Sequence, residues 1–370
     1  MRLRDAVLEY QKTLDDTGTY TKDIAVSDPV SAFWMEFIGT NGATSNKDNF
    51  LNDVISKIEI VNGSDVLFSL SLQEAQALEF YKTKRTPNIV ASSWADGGQR
   101  ERVYILFGRD LWDTEYGMDF TRFANPQLKI TTNIAKIRAA GATGFLSGYL
   151  KASIVAKVME EAPTRPAKFL QAKQIASWTS GTSGQKRVEL PIDFPYRLAV
   201  VRGYVQQSDI NEVFTNLKMT LDADTKVLFD RYVMELDAEA LEQFGQCLLK
   251  QDIYAKHSTA VRIMVNKEPN CIWYPWEDAT GYCTGIQYQW SSEFKPDLMS
   301  NAGAAVTTDI KATLHQMGHA LHATLPVPFG ILQRPETWFS PSGYRKCELV
   351  LTEAVAAAAS VVLEQERPLP

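Results

Sequence analysis

Residues 58–80 read IEIVNGSDVLFSLSLQEAQALEF, and this stretch decides how the rest of the chain is interpreted. Short apolar runs stand on both sides of Asn62-Gly63, a dipeptide that favours the tight turn of a β-hairpin. After the second run, Leu72, Ala75 and Leu78 recur at helical spacing. The stretch therefore predicts a strand, a turn, a second strand and a short helix, in that order.

The same order returns in the second half of the chain, where residues 217–244 read LKMTLDADTKVLFDRYVMELDAEALEQF. Later segments also correspond. Phe107-Gly108 and Phe329-Gly330 each precede a tryptophan and a strand-like run, and residues 152–155 resemble residues 359–362. Short apolar strands resemble one another by chance, so the agreement in order carries the weight. The repeat predicts a duplicated β-domain.

Length and composition suit two folded domains. The chain has 370 residues, of which 45% are hydrophobic and 22% charged, and a domain usually takes about 100–200 residues. Strand-like segments separated by turns predict antiparallel sandwiches. In the first half these segments are residues 30–38, 54–61, 66–70, 103–107, 127–132 and 149–158.

The Pro-, Gly- and Ser-rich composition of residues 163–187 is typical of a linker, with helical turns expected around residues 167–175. We therefore predict an all-β chain with one sandwich at 20–162 and a second at 188–370. A short helix is expected in a loop of each sandwich, and residues 1–19 are expected to form an N-terminal helical arm.

The N-terminal helix is predicted from Leu3, Val7, Tyr10 and Leu14, which share one face at helical spacing. Two interpretations stay open: the helix packs on its own domain, or it docks on a neighbouring subunit or an inner layer. In the second case Leu3, Val7 and Tyr10 are subunit-interface candidates. The charge of the segment is balanced, which disfavours a polybasic tether to a membrane or a genome.

Charge and cysteine content exclude several classes of function. The net charge of −6 provides no general attraction to nucleic acid, so we expect no direct sequence-specific nucleic-acid binding. No signal peptide or membrane-spanning stretch is expected, which suggests synthesis and folding in a cytoplasm-like compartment. The cysteines are isolated from one another and are expected to be reduced and mostly buried: Cys247, Cys271, Cys283 and Cys347.

One cluster deserves a test for metal chemistry. His315, His319 and His322 fall at i, i+4 and i+7, so on a helix they would share a face and could ligate zinc. The H-E-x-x-H pattern is absent, and a strand or loop would keep the three side chains apart. No phosphate-binding loop or nucleophile elbow is present either. We predict no catalytic residue and no cofactor, and keep the histidines as a weak metal candidate.

Aromatic residues crowd one loop-rich region of the second half. Such residues are plausible contacts between subunits, although half of them could instead fill the second core. The subunit-interface candidates taken from this region are Trp273, Tyr274, Trp276 and Tyr282.

The C-terminal segments carry a resemblance to a known family. Residues 325–330 read LPVPFG, residues 335–339 read PETWF and residues 360–368 read SVVLEQERP. Together with the hairpin and helix at 58–80, they resemble the double jelly-roll major capsid proteins of the adenovirus-hexon and tectivirus lineage, from tailless icosahedral viruses of bacteria or archaea. The resemblance covers most of residues 20–370.

The resemblance implies two tandem eight-stranded jelly rolls and a structural role in the virion. Three chains of such a protein form a trimer with a pseudo-hexagonal outline, and the trimers tile an icosahedral shell. The implied partners are further copies of the chain, minor capsid or vertex proteins and, in many members of the lineage, an internal membrane. It implies no enzymatic activity.

Other functions remain open from the sequence. A carbohydrate-binding double sandwich would use exposed tryptophans such as Trp94, Trp112 and Trp276 to stack on sugars. A jelly-roll hydrolase or metal-dependent enzyme would need metal at the three histidines. A minor capsid or vertex protein is disfavoured because such proteins generally carry one sandwich.

Overall fold

The computed structural model describes residues 2–42, 46, 50–92, 96–134, 144–162, 164–205, 208–255, 310–318 and 320–370, and the short strand segments named below. Side chains are described outside residues 250–317. The first part of the chain contains the strands β1 (Arg2–Thr13), β2 (Thr17–Asp23), β3 (Val30–Thr40), β4 (Ile55–Asn62), β5 (Asp65–Leu70), β6 (Ile89–Ser92), β7 (Gly98–Leu106), β8 (Pro126–Asn133) and β9 (Lys151–Glu160).

The second part contains two groups of strands. The long ones are β10 (Lys168–Thr179), β11 (Gln185–Leu190), β12 (Tyr196–Tyr204), β13 (Phe214–Leu221), β14 (Lys226–Tyr232), β15 (Cys247–Ala255), β21 (Ile310–Gly318), β22 (Thr324–Pro328), β23 (Cys347–Glu353) and β24 (Ala358–Pro368). The short ones are β16 (Ile263–Met264), β17 (Ile272–Trp273), β18 (Trp276–Asp278), β19 (Tyr288–Gln289) and β20 (Glu293–Phe294).

Helices are short in the described residues. The α-helices are α1 (Leu51–Val54), α2 (Leu72–Thr83), α3 (Ile210–Val213) and α4 (Val233–Phe244), and 3-10 turns cover Phe120–Arg122 and Pro335–Thr337. Helices α2 and α4 each follow the second strand of a hairpin, as the repeated sequence predicts. No helix in this part of the chain is long and apolar enough to cross a membrane.

The strands form two jelly rolls in tandem. In the first repeat, strands in the order β1-β9-β3-β7 pack against strands in the order β2-β8-β4-β5. In the second repeat, the order β10-β24-β12-β22 packs against β11-β23-β13-β14. In the described residues each repeat thus has eight strands in two facing antiparallel sets around an apolar core, and β6 extends the first set beyond β7. The predicted all-β double jelly roll is confirmed.

Matching β-bulges show how closely the repeats correspond. Where β1 pairs with β9, the register shifts between Val7 and Glu9, and where β10 pairs with β24 it shifts between Gln174 and Ala176. A bulge inserts one extra residue and is a specific local feature, so bulges at equivalent positions indicate a true repeat. Three further bulges match: Val30/Ala32 with Tyr196/Leu198, Ile55/Lys57 with Phe214/Asn216, and Ile60/Val61 with Met219/Thr220.

The predicted N-terminal helix is wrong, because residues 2–13 form strand β1. This strand pairs antiparallel with β9 from Arg2 opposite Glu160 to Thr13 opposite Lys151. Register shifts between Val7 and Glu9 and between Glu9 and Lys12 each add one residue and break the strict alternation of a strand, so the spacing of apolar residues imitates a helix. Pairing with a strand some 140 residues away decides the conformation, and a local pattern does not contain that information.

The helical turns expected around residues 167–175 are also wrong. Residues 168–179 form strand β10, which pairs with β24 from Lys168 opposite Pro368 to Thr179 opposite Ala358. Much of the expected linker therefore belongs to a sheet of the second repeat, as β1 does in the first. The division into domains at 20–162 and 188–370 stays a prediction.

Two parallel pairings join the repeats inside the chain. Strand β5 of the first repeat pairs with β10 of the second, with Phe68 opposite Ala172 and Ser69 opposite Lys173. Strand β6 pairs with β15 in the same way. Sheets therefore continue from one repeat into the other. Cys247 and Cys347 are buried thiols outside any disulfide, as predicted for these two cysteines.

Candidate assembly surfaces

Helix α2 lies between the two repeats and is covered on every side. Ser71 caps its first turn: the Ser71 hydroxyl accepts a hydrogen bond from the backbone N–H of Glu74, and the Glu74 carboxylate accepts one from the backbone N–H of Ser71. Every residue from Leu72 to Lys82 is buried. A helix with no solvent-facing side is unusual outside the centre of a domain, so α2 marks an internal interface.

Side chains of α2 form polar contacts with the second repeat. The Ser360 hydroxyl on β24 donates to Glu74 Oε1 at 2.5 Å. His322 Nε2 lies 2.7 Å from Gln76 Oε1. The Tyr81 hydroxyl donates to the Thr324 carbonyl oxygen at 2.9 Å. These buried hydrogen bonds fix how the repeats are oriented, because each group would lose a partner if the repeats separated.

A buried cluster of charge completes the internal interface. The Glu364 carboxylate on β24 forms ion pairs with Lys82 on α2 and with Arg197 on β12. Burial lowers the pKa of Lys82 to about 8, although the charge of Glu364 opposes this effect. Burial also acts to raise the pKa of Glu364, but the charges of Lys82 and Arg197 outweigh it and hold that pKa below its ordinary value.

Two further buried carboxyl groups lie beside α2. Glu101 Oε2 on β7 accepts a hydrogen bond from Gln76 Nε2 at 2.9 Å, and Glu79 Oε2 accepts one from the backbone N–H of Tyr104 at 2.8 Å. Burial raises the pKa of both Glu79 and Glu101 to about 8. Glu101 is enclosed by packed protein and Glu79 lies in the wall of a cavity described below, and burial alone accounts for both raised pKa values, which do not by themselves indicate catalysis.

Helix α4 occupies the position of α2 in the second repeat, but nothing in the described chain covers its outer side. Its buried residues are only Val233, Asp237, Ala240 and Phe244. The Met234 residue is 66% exposed and the preceding Tyr232 is 64% exposed. Strand β14, which leads into α4, is the last strand of its sheet and exposes Val227 and Leu228. No sequence pattern assigns a contact role to these four residues, although the repeat places them at positions equivalent to β5 and the start of α2.

Strand β1 presents a second uncovered surface. It is the outermost strand of its sheet, and Val7 and Tyr10 are 61% and 76% exposed, whereas Leu3 is half-buried. Val7 lies opposite Val155, and Val155 lies opposite Trp34, so the three side chains point to the same side of the sheet. Both Val155 and Trp34 are only partly buried. Apolar side chains exposed together on a sheet suit a protein contact.

The aromatic interface candidates of the second half fall largely outside the described residues. Trp273 lies in β17 and Trp276 in β18, and their side chains are not described. Tyr274 and Tyr282 lie outside the described residues altogether. Their role at a subunit contact stays a prediction.

The three histidines are not held together on a helix. His315 lies in strand β21, and His319 lies outside the described residues. His322 is buried and lies in hydrogen-bonding distance of Gln76. Across the residues described above, no group of three His, Cys, Asp or Glu side chains is placed to hold a metal ion.

A cavity of about 540 Å³ lies beside α2 and the loop after β7. Trp112 lines it and is 59% exposed, whereas Trp94 and Trp276 have no described side chains. The other lining residues are Glu79, Lys82, Thr83, Arg85, Tyr104, Leu106, Asp110 and Leu111. An aromatic ring beside charged groups is a combination found in sugar-binding sites.

Comparison with known proteins identifies the fold. No protein-family model matches the chain, and a search of curated proteins found no relative. Among solved structures, it resembles the major capsid protein of Sulfolobus turreted icosahedral virus, with a TM-score of 0.59 at 12% identity over 100% of this chain and 98% of that one. The major capsid protein of bacteriophage PM2 gives 0.54 at 8% identity, covering 100% and 98%.

A third likeness is to the capsid of virus PBCV-1, with a TM-score of 0.56 at 8% identity, covering 99% of this chain and 93% of that chain. At these identities the comparisons show a shared fold. That fold is the double jelly roll of major capsid proteins.

Proposed function

We propose that this chain is a major capsid protein that assembles as a homotrimer and tiles an icosahedral virus shell. The observation that carries the proposal is the end-to-end likeness of both jelly rolls to three major capsid structures. A jelly roll alone serves many functions, but two in tandem, joined through continuous sheets, are a far more restricted arrangement.

Three copies of a chain with two jelly rolls can close into a ring. One chain supplies two similar jelly rolls, so three copies supply six, and three-fold symmetry then gives a nearly hexagonal unit that can tile a surface. The exposed edge strands β1 and β14 provide contact surfaces without unfolding any element. In this proposal the protein resides in the virion after synthesis in the host cytoplasm. Its partners are copies of itself, minor capsid or vertex proteins and an internal membrane beneath the shell.

The proposal is tested by the size and shape of the purified protein. We expect light scattering after size-exclusion chromatography to give three times the mass of the chain. Averaged negative-stain images should show three-fold particles with six densities. A monomer with two lobes at high protein concentration would contradict the trimer.

A second candidate function is carbohydrate binding, which the exposed ring of Trp112 beside a cavity with charged lining residues favours. Such a site would lose its ligand when Trp112 is replaced by alanine. Glycan binding by the unmodified chain that disappears in Trp112→Ala would support this alternative, and the absence of binding to a broad glycan panel would remove it.

A further inference from the structure

The interface inside the chain provides a template for the interface between chains. We propose that β14 and α4 of one copy dock on β1, β9 and β3 of a second copy, in the arrangement by which β5 and α2 dock on β10, β24 and β12 within one chain. The inference rests on the proposed function for the presence of several copies, and names the surfaces that meet.

The register follows from the shared bulges. Phe229 in β14 lies opposite Met219 beside a bulge, as Phe68 in β5 lies opposite Ile60 beside the matching bulge. In the same way Asp5 in β1 takes the place of Ala172 in β10. Because Phe68 pairs with Ala172 inside the chain, Phe229 of one copy is placed opposite Asp5 of the next.

Both strands are available for this pairing. In the part of the chain that the structure describes, β1 and β14 are each the terminal strand of a sheet and have one neighbour. An edge strand presents unpaired backbone N–H and C=O groups, which favour pairing with another chain. Their counterparts β10 and β5 satisfy that edge by pairing with each other.

The residues that α2 covers on the second repeat are more buried than their counterparts on the first repeat, where the proposed second copy is missing. On the second repeat, Val362 and Val200 lie under α2 and are fully buried. On the first repeat, Val155 and Trp34 occupy the equivalent positions and are partly exposed. The outer side of α4, with Met234, is the surface that corresponds to the covering face of α2. Docking would bury apolar groups on both surfaces at once.

A polar contact is repeated with the same residue types. Inside the chain, the Ser360 hydroxyl on β24 donates to the Glu74 carboxylate on α2. The residue at the position of Glu74 in α4 is Glu235, and the residue at the position of Ser360 in β9 is Ser153. Ser153 Oγ accepts a hydrogen bond from the Gln11 backbone N–H, which leaves its hydroxyl proton to be donated to Glu235 of another copy.

An ion pair is repeated with its signs reversed. Arg367 on β24 donates to Asp65 on β5, with Nη1 to Oδ1 at 2.9 Å. The equivalent position to Asp65 is Lys226 in β14, and the equivalent position to Arg367 is Glu160 in β9. Attraction across the interface is thus preserved although both charges change. Within one chain Glu160 also pairs with Arg2 and Arg4. The proposed contact would add Lys226 of a second copy to that group.

A third contact, neutral inside the chain, has oppositely charged residues at the equivalent positions between chains. Inside the chain Tyr81 on α2 donates a hydrogen bond to Thr324 on β22. The counterpart of Tyr81 is Glu242 on α4, and the counterpart of Thr324 is Arg102 on β7. Glu242 is exposed, and Arg102 is partly exposed beside Glu36. Three independent positions therefore present complementary groups in a single register.

The test places a cysteine on each proposed strand in the full chain. Ala6 and Asp230 are the counterparts of Lys173 and Ser69, which lie directly opposite each other in the internal pairing. Neighbouring strands lie about 4.8 Å apart, within the range that a disulfide can bridge. After mild oxidation of Ala6→Cys/Asp230→Cys, we expect covalent dimers and trimers on a non-reducing gel, which disappear on reduction.

Matched controls identify the source of any link. Each single variant, and the unmodified chain with its four native cysteines, should give no such species. The double variant Lys173→Cys/Ser69→Cys should form a disulfide within one chain, and the protein should still migrate as a single chain on the non-reducing gel. Separately, Lys226→Glu should weaken self-association by about tenfold, and adding Glu160→Lys should recover it. Lys186→Glu, on strand β11 at the opposite edge of the same sheet, should leave self-association unchanged.

The outcomes separate this inference from the proposed function. Suppose that light scattering shows a trimer, but Ala6→Cys/Asp230→Cys forms no covalent dimer or trimer and Lys226→Glu does not weaken association. That result would overturn the inference while the capsid proposal stands. A chain that stays monomeric at every concentration overturns both.

Discussion

Lys82 on α2 and Glu364 on β24 form an ion pair in which the side chains are 2% and 0% exposed. The lysine belongs to the first repeat and the glutamate to the second, so the pair links the two. Arg197 also contacts Glu364, which means that one carboxylate compensates two buried cations. This arrangement makes Glu364 the most sensitive position of the internal interface.

Replacing Glu364 by glutamine should destabilise the chain strongly. The variant keeps the shape of the side chain but leaves Lys82 and Arg197 buried without a negative partner. We expect the free energy of unfolding to fall by about 3–5 kcal/mol, measured by urea denaturation. The exposed Glu189→Gln is the control and should change it by less than about 0.5 kcal/mol. An equally small effect of Glu364→Gln would show that the cluster does not hold the repeats together.

Stability should fall as the pH rises from about 4.5 to about 8. Burial raises the pKa of Glu101 from 4.5 to about 8, so in this range the folded chain keeps a proton that the unfolded chain has released. Each such group removes about 1.4 kcal/mol of stability per pH unit. In Glu101→Gln this contribution disappears, and unfolding free energies measured across the range should decline less steeply.

Glu79 contributes in the same direction, because burial raises its pKa to about 8 as well. The double variant Glu79→Gln/Glu101→Gln should therefore flatten the decline further, whereas Glu115→Gln, at an exposed position, should leave it as in the unmodified chain. Parallel curves for the double variant and the unmodified chain would mean that both carboxyl groups are ionised in the folded state.

Gly330 should tolerate no side chain. Its φ is +138°, and a Cβ there would lie 2.3 Å from the Thr337 backbone oxygen, which cannot move without shifting the chain. We expect Gly330→Ala to reduce the free energy of unfolding by about 2 kcal/mol or more. Gly343→Ala is the matched control, because nothing lies within 4 Å of its added Cβ. Equal midpoints of denaturation for the two variants would contradict this prediction.

Val7→Asp should weaken self-association and leave folding intact. Val7 is 61% exposed in the single chain, so the change costs little there. Val7 is the counterpart of Gln174, whose Nε2 donates to Glu74 Oε1 at 2.8 Å, so in the proposed contact the new carboxylate would face and repel Glu235 of a second copy. We expect association measured by sedimentation to fall by about tenfold, with the same melting temperature for the dissociated chain. Ile192→Asp, outside β1 and β14, should leave association unchanged.

The sequence predicts the double jelly roll because the same order of strands, turn and helix occurs in both halves of the chain. The hairpin at Asn62-Gly63 and the helix after it recur at residues 217–244, and the structure places both copies in the same position. The apolar spacing of residues 3–14 predicts a helix, because the register shifts in strand β1 bring its apolar positions to helical periodicity. No local pattern reveals that the partner of this strand is β9.

For the candidate contact surfaces, too, the sequence determines some features and the tertiary structure decides others. The sequence alone determined that the chain is duplicated, that its domains are all-β, and that Val7 and Tyr10 belong to an amphipathic segment. Only the tertiary structure decided that α2 is buried between the repeats whereas α4 is exposed. The two helices occupy equivalent positions, and their environments differ because the second repeat packs over α2, whereas no described part of the chain packs over the outer side of α4. Burial is a property of the neighbours, which the sequence of a helix does not specify.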